Sequence, residues 1–498
     1  MNNKLILTFG SLFSGSLLQA AERPNIIFVL IDDLGKEWIE AYGADIKTPN
    51  INSLSEQGIT FSRAYSMPQS TPSRVVLMTG QYPCNNGWIN HYDVPRWGHG
   101  AQFDVEKNPC FPRELQKIGY KTCVAGKWQL NDFRIQPDIM NRVGFDEYCM
   151  WTGAEKGNEK VSANRYWDPY IHTKEGSKVY KGKFGPDIYS DFIVDFINDN
   201  KDKPFLVYYP MTLTHMPLVH TPLEPDAKTA YEKHCAMVRY TDFIIGKLLK
   251  AVEDAGVKDN TYIFFTTDNG TVGTVVGRRD DVYVRGGKTY LSENGINTPF
   301  LVIGPNIKAG SKTDALIDFA DVYPTLLDLE GTKKVDSRVD GKSFAALLRG
   351  DRNYRSKEFA MSMGGHPAMI GKDGMVKNYF SFRDRAIIGE KYKIYLSVDR
   401  KISRIYDMQN DPYEKTDLVN NAKVMKEVKA EFGKYIDNLP AKDANPKYSV
   451  LKECKYDEPA DVLNESSERT HSRYKNKIEL ATKEDYDKFK NRTTKKKR

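Results

Sequence analysis

The sequence predicts an α/β protein: a large, mixed, mostly parallel sheet sandwiched by helices, followed by a smaller α+β unit. Three observations carry this. Short, continuously apolar runs recur through the first two thirds of the chain, as in strands buried on both faces. Helical stretches lie between these runs, and strand–helix alternation favours parallel pairing through crossovers. Near residue 350 the pattern changes to shorter, alternating pieces that suit an antiparallel sheet.

In chain order, residues 1–21 read as a secretory signal. Lys4 is the charged start, Leu5–Leu18 the apolar stretch and Gln19-Ala20-Ala21 the cleavage region. No later stretch is apolar enough to cross a bilayer, so a soluble, exported protein is expected, periplasmic or secreted. Asn25–Ile31 is the first strand and ends in Asp32-Asp33. Ser70-Thr71-Pro72-Ser73-Arg74 runs into Val75–Gly80, predicting a helix with Pro72 at its first position and Gly80 at its stop. Ser70 then sits at the positive end of the dipole, with Arg74 about one turn on. The next strand, Thr122–Ala125, runs into Gly126-Lys127. A helix over Asp187–Asn198 precedes the strand Phe205–Tyr209, which Thr214-His215 follows. A helix over Tyr231–Ala255 leads to the strand Tyr262–Thr267, which ends in Asp268-Asn269-Gly270. Phe300–Ile303 is the last strand of this region.

Beyond it, Phe380–Phe382, Arg385–Ile388 and Tyr392–Leu396 read as strands and Ala422–Leu439 as a helix. The expected organisation is a signal at 1–21, a main domain at 22–355, a C-terminal subdomain at 356–464 and a solvated lysine-rich tail at 465–498.

Composition bounds the function. The 498 residues are 40% hydrophobic and 28% charged, enough to bury a sizeable core. A net charge of +7 permits a polyanionic substrate and gives no nucleic-acid signature. Cys84, Cys110, Cys123, Cys149, Cys235 and Cys454 have no metal-type spacing and read mostly as small buried hydrophobes.

In parallel α/β sheets the ligand site lies beyond the carboxyl ends of the strands. That edge carries Asp32, Asp33, Lys127, His215, Asp268 and Asn269. The three carboxylates, the carboxamide and an oxygen from residue 70 form an all-oxygen set suited to Ca2+, less well to Mg2+. Arg74, Lys127, His215 and Lys288 add positive or proton-donating groups, a clamp for a tetrahedral anion.

These residues resemble the formylglycine-dependent sulfatases of the alkaline-phosphatase superfamily. The resemblance covers nearly all of residues 24–420. It includes Asp32-Asp33, Thr48-Pro49-Asn50-Ile51, Ser70–Gly80 with its Ser-x-Pro-Ser-Arg signature, Gly126-Lys127-Trp128, Thr214-His215, Thr267–Gly270, Gly287-Lys288 and Asp321–Leu327. It implies an alkaline-phosphatase-like fold and hydrolysis of O-sulfate esters. Ser70 would be oxidised to formylglycine; serine rather than cysteine there implies an anaerobic radical maturation enzyme as a partner, and a bacterial source. One hydroxyl of the hydrated aldehyde would attack sulfur, His215 or Lys288 would protonate the leaving alcohol, and the second hydroxyl would expel sulfate. Asp32, Asp33, Asp268 and Asn269, with residue 70, match the calcium ligands; Arg74 and Lys127 match groups that hold the hydrate and the sulfate. One departure stands out: the family's Gly-Lys-Trp-His-Leu-Gly is here Gly126-Lys127-Trp128-Gln129-Leu130-Asn131. Gln129 donates and accepts hydrogen bonds but is no base at neutral pH. Either Lys127, a metal-bound hydroxide, or His91, His99 or His220 replaces that histidine, or the enzyme is slow or altered.

The expected substrate is a sulfated carbohydrate. Trp88, His91, Arg96, Trp97 and His99, with Arg285, His366 and Arg385 (and Arg278, Arg279 and Arg383 near them), are the expected substrate contacts. Two other classes stay open at this stage: a phosphatase or phosphodiesterase using unmodified Ser70, and a non-catalytic protein that binds sulfated glycans.

Overall fold

The structure is a computed structural model that describes residues 23–88, 103–134, 136–151, 164–332, 335–364, 368–370, 376–378, 380–445 and 480–493. The expected signal at 1–21 and Cys454 lie outside the described residues. The strands of the main body are β1 (Asn25–Ile31), β2 (Ile59–Phe61), β3 (Ala64–Tyr65), β4 (Lys121–Lys127), β5 (Glu147–Trp151), β6 (Tyr170–Thr173) and β7 (Gly176–Val179). They continue with β8 (Phe205–Pro210), β9 (Thr261–Thr267), β10 (Val276–Arg279), β11 (Val282–Arg285), β12 (Phe300–Ile303), β13 (Ser311–Thr313) and β14 (Ile317–Asp318). Ten of them form one sheet in the order β13-β2-β12-β9-β1-β8-β4-β5-β6-β7. The middle five, β9-β1-β8-β4-β5, are all parallel, and antiparallel pairs flank them.

Strand β1 shows why the apolar runs are continuous. Ile26, Phe28 and Leu30 enter one core, with the helix Ser70–Thr79. Ile27, Val29 and Ile31 enter the other, with the helices Gly185–Asn200 and Ala230–Asp254. Side chains alternate along a strand, so a sheet covered on both faces needs apolar residues at every position. The register pairs Ile31 with Thr267, Leu30 with Pro210 and Lys127 with Trp151, so the carboxyl ends of these strands form a common edge.

The smaller unit holds two sheets. Its strands are β15 (Ala360–Met363), β16 (Ala368–Ile370), β17 (Val376–Asn378), β18 (Arg385–Ile388), β19 (Tyr392–Leu396) and β20 (Ile402–Asp407). Four of them make an antiparallel sheet in the order β15-β18-β19-β20, and β16 pairs with β17. The expected strand at Phe380–Phe382 is absent; that segment bends into β18 and buries Phe382. The helix Ala422–Asn438 begins at Asn421, whose side chain accepts from the Lys423 and Val424 N–H groups.

Two further expectations change. The helix after the signature begins at Ser70, with Gln69 as its cap, so Pro72 is its third residue rather than its first. A proline is tolerated throughout a first turn because those N–H groups have no intrahelical partner. The tail is not wholly solvated. The helix Lys483–Asn491 packs Tyr486 and Phe489 on Tyr231, with ring centroids 5.7 and 5.8 Å apart, and the Ala230 N–H donates to the Arg492 carbonyl at 2.9 Å. Apolar residues on one face of that charged helix outweigh the lysines on the other.

Cys84, Cys110, Cys123, Cys149 and Cys235 are buried and unpaired. No helix among the described residues is long and apolar enough to cross a membrane.

Candidate active site

The common strand edge gathers the chemistry. Asp32 and Asp33 leave β1 and Asp268 and Asn269 leave β9; all four are almost fully buried. In an extended chain Asp32 and Asp33 would point to opposite faces. Asp33 instead adopts φ +64°, a left-handed conformation that aspartate tolerates better than most residues, and both carboxylates enter one pocket. The strand ends are tied together: the Asp268 N–H donates to the Ile31 carbonyl at 3.0 Å, and the Asp32 N–H donates to the Leu213 carbonyl at 2.8 Å. Gly126 has φ +110°, and a Cβ there would lie 2.3 Å from the Pro210 carbonyl oxygen, so only glycine lets β4 deliver Lys127 this close to β8.

Ser70 stands at the N-terminus of its helix and faces this edge. Its Oγ lies 3.4 Å from Asp32 Oδ1 and 3.3 Å from Asn269 Oδ1. A hydroxyl has one proton to donate, so three oxygens converging at such distances are poorly satisfied by hydrogen bonding alone. They suit a hard cation shared between them.

Charged groups surround these oxygens. Lys127 Nζ is 2.7 Å from Asp32 Oδ2. Lys288 Nζ lies 2.6 and 2.7 Å from the two Asp33 oxygens, and Asn269 Nδ2 donates to Asp33 Oδ1 at 2.7 Å. Arg74 donates to Asp268 Oδ2 from Nε at 3.2 Å and from Nη2 at 2.7 Å. His215 Nε2 faces Asp33 Oδ2 at 3.7 Å. The sequence-predicted nucleophile, metal ligands and clamp residues therefore come together in one pocket.

Burial and mutual charge set the protonation. Burial opposes ionisation of Asp32, yet Lys127, His215, Arg74 and Lys288 hold its carboxyl far below the ordinary range. Burial, then repulsion from Asp32, pushes Asp268 up to about 6 despite Arg74. Burial lowers Lys127 to about 8 and takes His215 well below its usual value. Burial also disfavours the charged form of Lys288, but Asp33 and the other carboxylates outweigh it and its pKa rises. Three carboxylates face three cationic side chains. A divalent cation held by this set would leave the pocket net positive, which favours binding of an ester anion.

Other expected contacts fall elsewhere. Trp88 is fully buried beside Phe103, with ring centroids 6.2 Å apart, and has no surface for a sugar. Arg385 is fully buried too. Its Nη2 donates to both Asp443 oxygens at 2.9 and 2.8 Å, and its Nε donates to the Arg383 carbonyl, so it braces the subdomain. Arg285 pairs with Asp485 of the docked tail helix at 2.8 Å. His91, Arg96, Trp97, His99 and His366 lie outside the described residues. Gln129 follows Lys127 by two residues and has φ +63°. His220 stacks on Trp167, with centroids 5.1 Å apart.

The structure adds Arg165 and Tyr166, which no motif flagged. Arg165 Nη2 reaches His215 Nδ1 at 2.9 Å, and Tyr166 Oη lies 2.6 Å from the carbonyls of both Thr212 and His215. Their segment has no signature, and the contact spans about fifty residues of sequence.

Comparison with known proteins places this geometry. The sulfatase family model matches residues 24–332, well over half of the chain. The chain belongs to the sulfatase family. This sulfatase also matches, over residues 286–442, the model described as N-sulphoglucosamine sulphohydrolase, C-terminal. Human N-acetylgalactosamine-6-sulfatase is 30% identical over 387 residues, covering 70% of this chain and 72% of the relative. N-acetylgalactosamine-6-O-sulfatase of Bacteroides thetaiotaomicron is 26% identical over 492 residues, covering 84% and 94%. Among solved structures, Ps i-CgsB in complex with k-i-k-neocarrahexaose superposes with a TM-score of 0.70 at 23% identity, covering 91% of this chain and 98% of that one, which bears on the fold. The sulfatase fold is thus the alkaline-phosphatase-like one expected from the sequence, and the enzyme is a sulfuric ester hydrolase.

Proposed function

We propose that this sulfatase hydrolyses O-sulfate esters of a carbohydrate, with residue 70 matured to formylglycine and with Ca2+ held by Asp32, Asp33, Asp268 and Asn269. The observation that carries this reading is the placing of Ser70 Oγ between Asp32 Oδ1 and Asn269 Oδ1, at a helix N-terminus ringed by Arg74, Lys127 and Lys288. When present, formylglycine supplies a hydrated aldehyde with one hydroxyl to attack sulfur and one to release sulfate, and the cation supplies the charge that favours the attacking oxygen.

The chain's own residues do the rest. Arg74 fixes Asp268 as a ligand through two donors. Lys127 bonds one oxygen of Asp32 while Ser70 Oγ faces the other, and burial lowers it to about 8, so with glutamine at position 129 it is a candidate to exchange a proton near neutral pH. Lys288 and His215 meet at Asp33 Oδ2 and are the candidates to bind the ester oxygens and stabilise the departing one.

The relatives named above make a 6-O-sulfated N-acetylgalactosamine the first substrate to try. Export directed by residues 1–21 and the domain division at about residue 355 are proposed with it. The test uses protein co-expressed with a radical maturation enzyme. The Ser70 peptide should lose two hydrogens, and the protein should release sulfate from one member of a panel of sulfated sugars. A peptide with unmodified serine in a protein that cleaves phosphate esters would replace this reading with the phosphatase one.

A further inference from the structure

The hairpin β10–β11 stands apart from the ten-stranded sheet as a two-stranded unit of its own. Such a hairpin is marginal in water and needs something packed on it. Part of its cover is the segment that follows Asp32 and Asp33: a Cβ at Gly277 would lie 2.6 Å from Glu37 Cγ, so β10 rests directly on Lys36–Trp38. The C-terminal helix supplies the rest. Its Tyr486 lies between two rings, with centroids 5.3 Å from Tyr283 of β11 and 5.7 Å from Tyr231 of the helix Ala230–Asp254. Asp485 has two tasks. Its Oδ2 accepts from the Thr482 N–H at 3.0 Å and caps the helix, and its Oδ1 lies 2.8 Å from Arg285 Nη2. A helix of 9 residues is too short to persist alone, so its own order depends on this docking.

Arg285 is the last residue of β11 and precedes Lys288 by three positions. The chain between them has little slack. The Gly286 N–H donates to the Val275 carbonyl at 2.9 Å, and the Lys288 N–H donates to the Thr271 carbonyl at 3.0 Å. A Cβ at Gly286 would lie 2.3 Å from the Val272 carbonyl oxygen, so the backbone leaves the hairpin in close contact with residues 271–272, just beyond Asp268 and Asn269. A shift of the hairpin therefore carries the lysine with it.

We propose that the C-terminal helix is a brace for the catalytic edge: Asp485 and Tyr486 hold the hairpin at Arg285 and Tyr283, and Arg285 is thereby a positioning residue that acts through Lys288. The helix lies beyond residue 442, outside both matched regions of the chain. The competing arrangement is a helix that only anchors the chain end on Ala230–Asp254, through Phe489 against Tyr231 and the Ala230 N–H bonded to the Arg492 carbonyl. In that case the hairpin would not respond to its loss. That Lys288 meets the ester rests on the proposed function; the bracing of its loop does not.

The test is amide hydrogen exchange on full-length protein, read by mass spectrometry, with sulfate release assayed in parallel. Tyr486→Ala with Phe489→Ala undocks the helix. Exchange over residues 276–290 should then speed up about tenfold, as for a segment that has lost its cover. In the same variant kcat/KM should fall about 10- to 100-fold, the scale of a misplaced catalytic group. Arg285→Ala removes only the ion pair, whose two ends are partly exposed, so kcat/KM should fall about two- to fivefold, and Arg285→Lys should recover part of it. Faster exchange confined to residues 480–493 in the double variant would overturn the proposal and leave the helix an anchor. Faster exchange over 276–290 with unchanged kcat/KM would overturn it too. Should the double variant not fold, unchanged exchange over 282–290 in Arg285→Ala would overturn it, and faster exchange there with reduced kcat/KM would support it. Absence of sulfate release from the unmutated protein would instead count against the proposed function, and the exchange result would still decide the bracing.

Discussion

Arg385 offers a sharp test of a residue whose type suggests substrate binding and whose surroundings do not. Its guanidinium and the Asp443 carboxylate are both 0% exposed and joined by two bonds of 2.9 and 2.8 Å, and the Arg383 N–H donates to Asp443 at 2.8 Å. Asp443→Ala leaves a buried guanidinium without its counter-charge. Breaking such a pair from one side costs about 3–5 kcal/mol. Replacing both partners with apolar groups, as in Arg385→Met with Asp443→Leu, removes the stranded charge and should recover most of that loss. Denaturant titration at pH 7 measures both effects, and sulfate release on the folded fraction should show an unchanged KM. A raised KM in Arg385→Met with an unchanged unfolding midpoint would refute this reasoning and return Arg385 to the substrate.

Four further outcomes follow from the geometry. Ser70→Ala should abolish sulfate release while leaving the unfolding midpoint nearly unchanged, since the hydroxyl makes only long contacts. Chelation should abolish activity and Ca2+ should restore it, with a stability gain of about 2.7 kcal/mol at a hundredfold excess over Kd, read by thermal unfolding. Gln129→His should keep the fold and speed turnover; a folded, inactive variant would refute the view of Gln129 as a weaker substitute. His234 is buried beside Trp38 with neither ring nitrogen hydrogen-bonded, and burial lowers its pKa from 6.5 to about 3. Its neutral form therefore contributes stability that is present above pH 6.5 and lost as pH falls towards 3, by about 2 kcal/mol at pH 5, and His234→Phe should flatten that acid limb in denaturant titrations.

Much of the site was legible because a parallel sheet converts sequence position into spatial position. Asn25–Ile31 and Tyr262–Thr267 read as strands, and whatever follows two parallel neighbours must meet at one edge. The rim was less legible for the opposite reason. Trp88 and Arg385 have the residue types of a sugar site, but type says nothing of burial, and both are enclosed. The docking of the tail helix was hidden because its apolar residues, Tyr486 and Phe489, are few among lysines. Arg165 was hidden because its partner lies about fifty residues away.

The pattern of ion pairs suggests why the site needs so many buried charges. Each carboxylate has its own cation: Asp32 with Lys127, Asp33 with Lys288 and Asp268 with Arg74. Paired in this way, the pocket is close to neutral and its burial is tolerable. The Arg74 pair, with both partners essentially unexposed, is the most enclosed, whereas the Lys288 side chain is 19% exposed and can turn towards a ligand. Arg74 is thus suited to holding the Asp268 carboxylate in place, and Lys288, were a cation to be held by Asp33, would be the more accessible of the two to an anion entering the pocket.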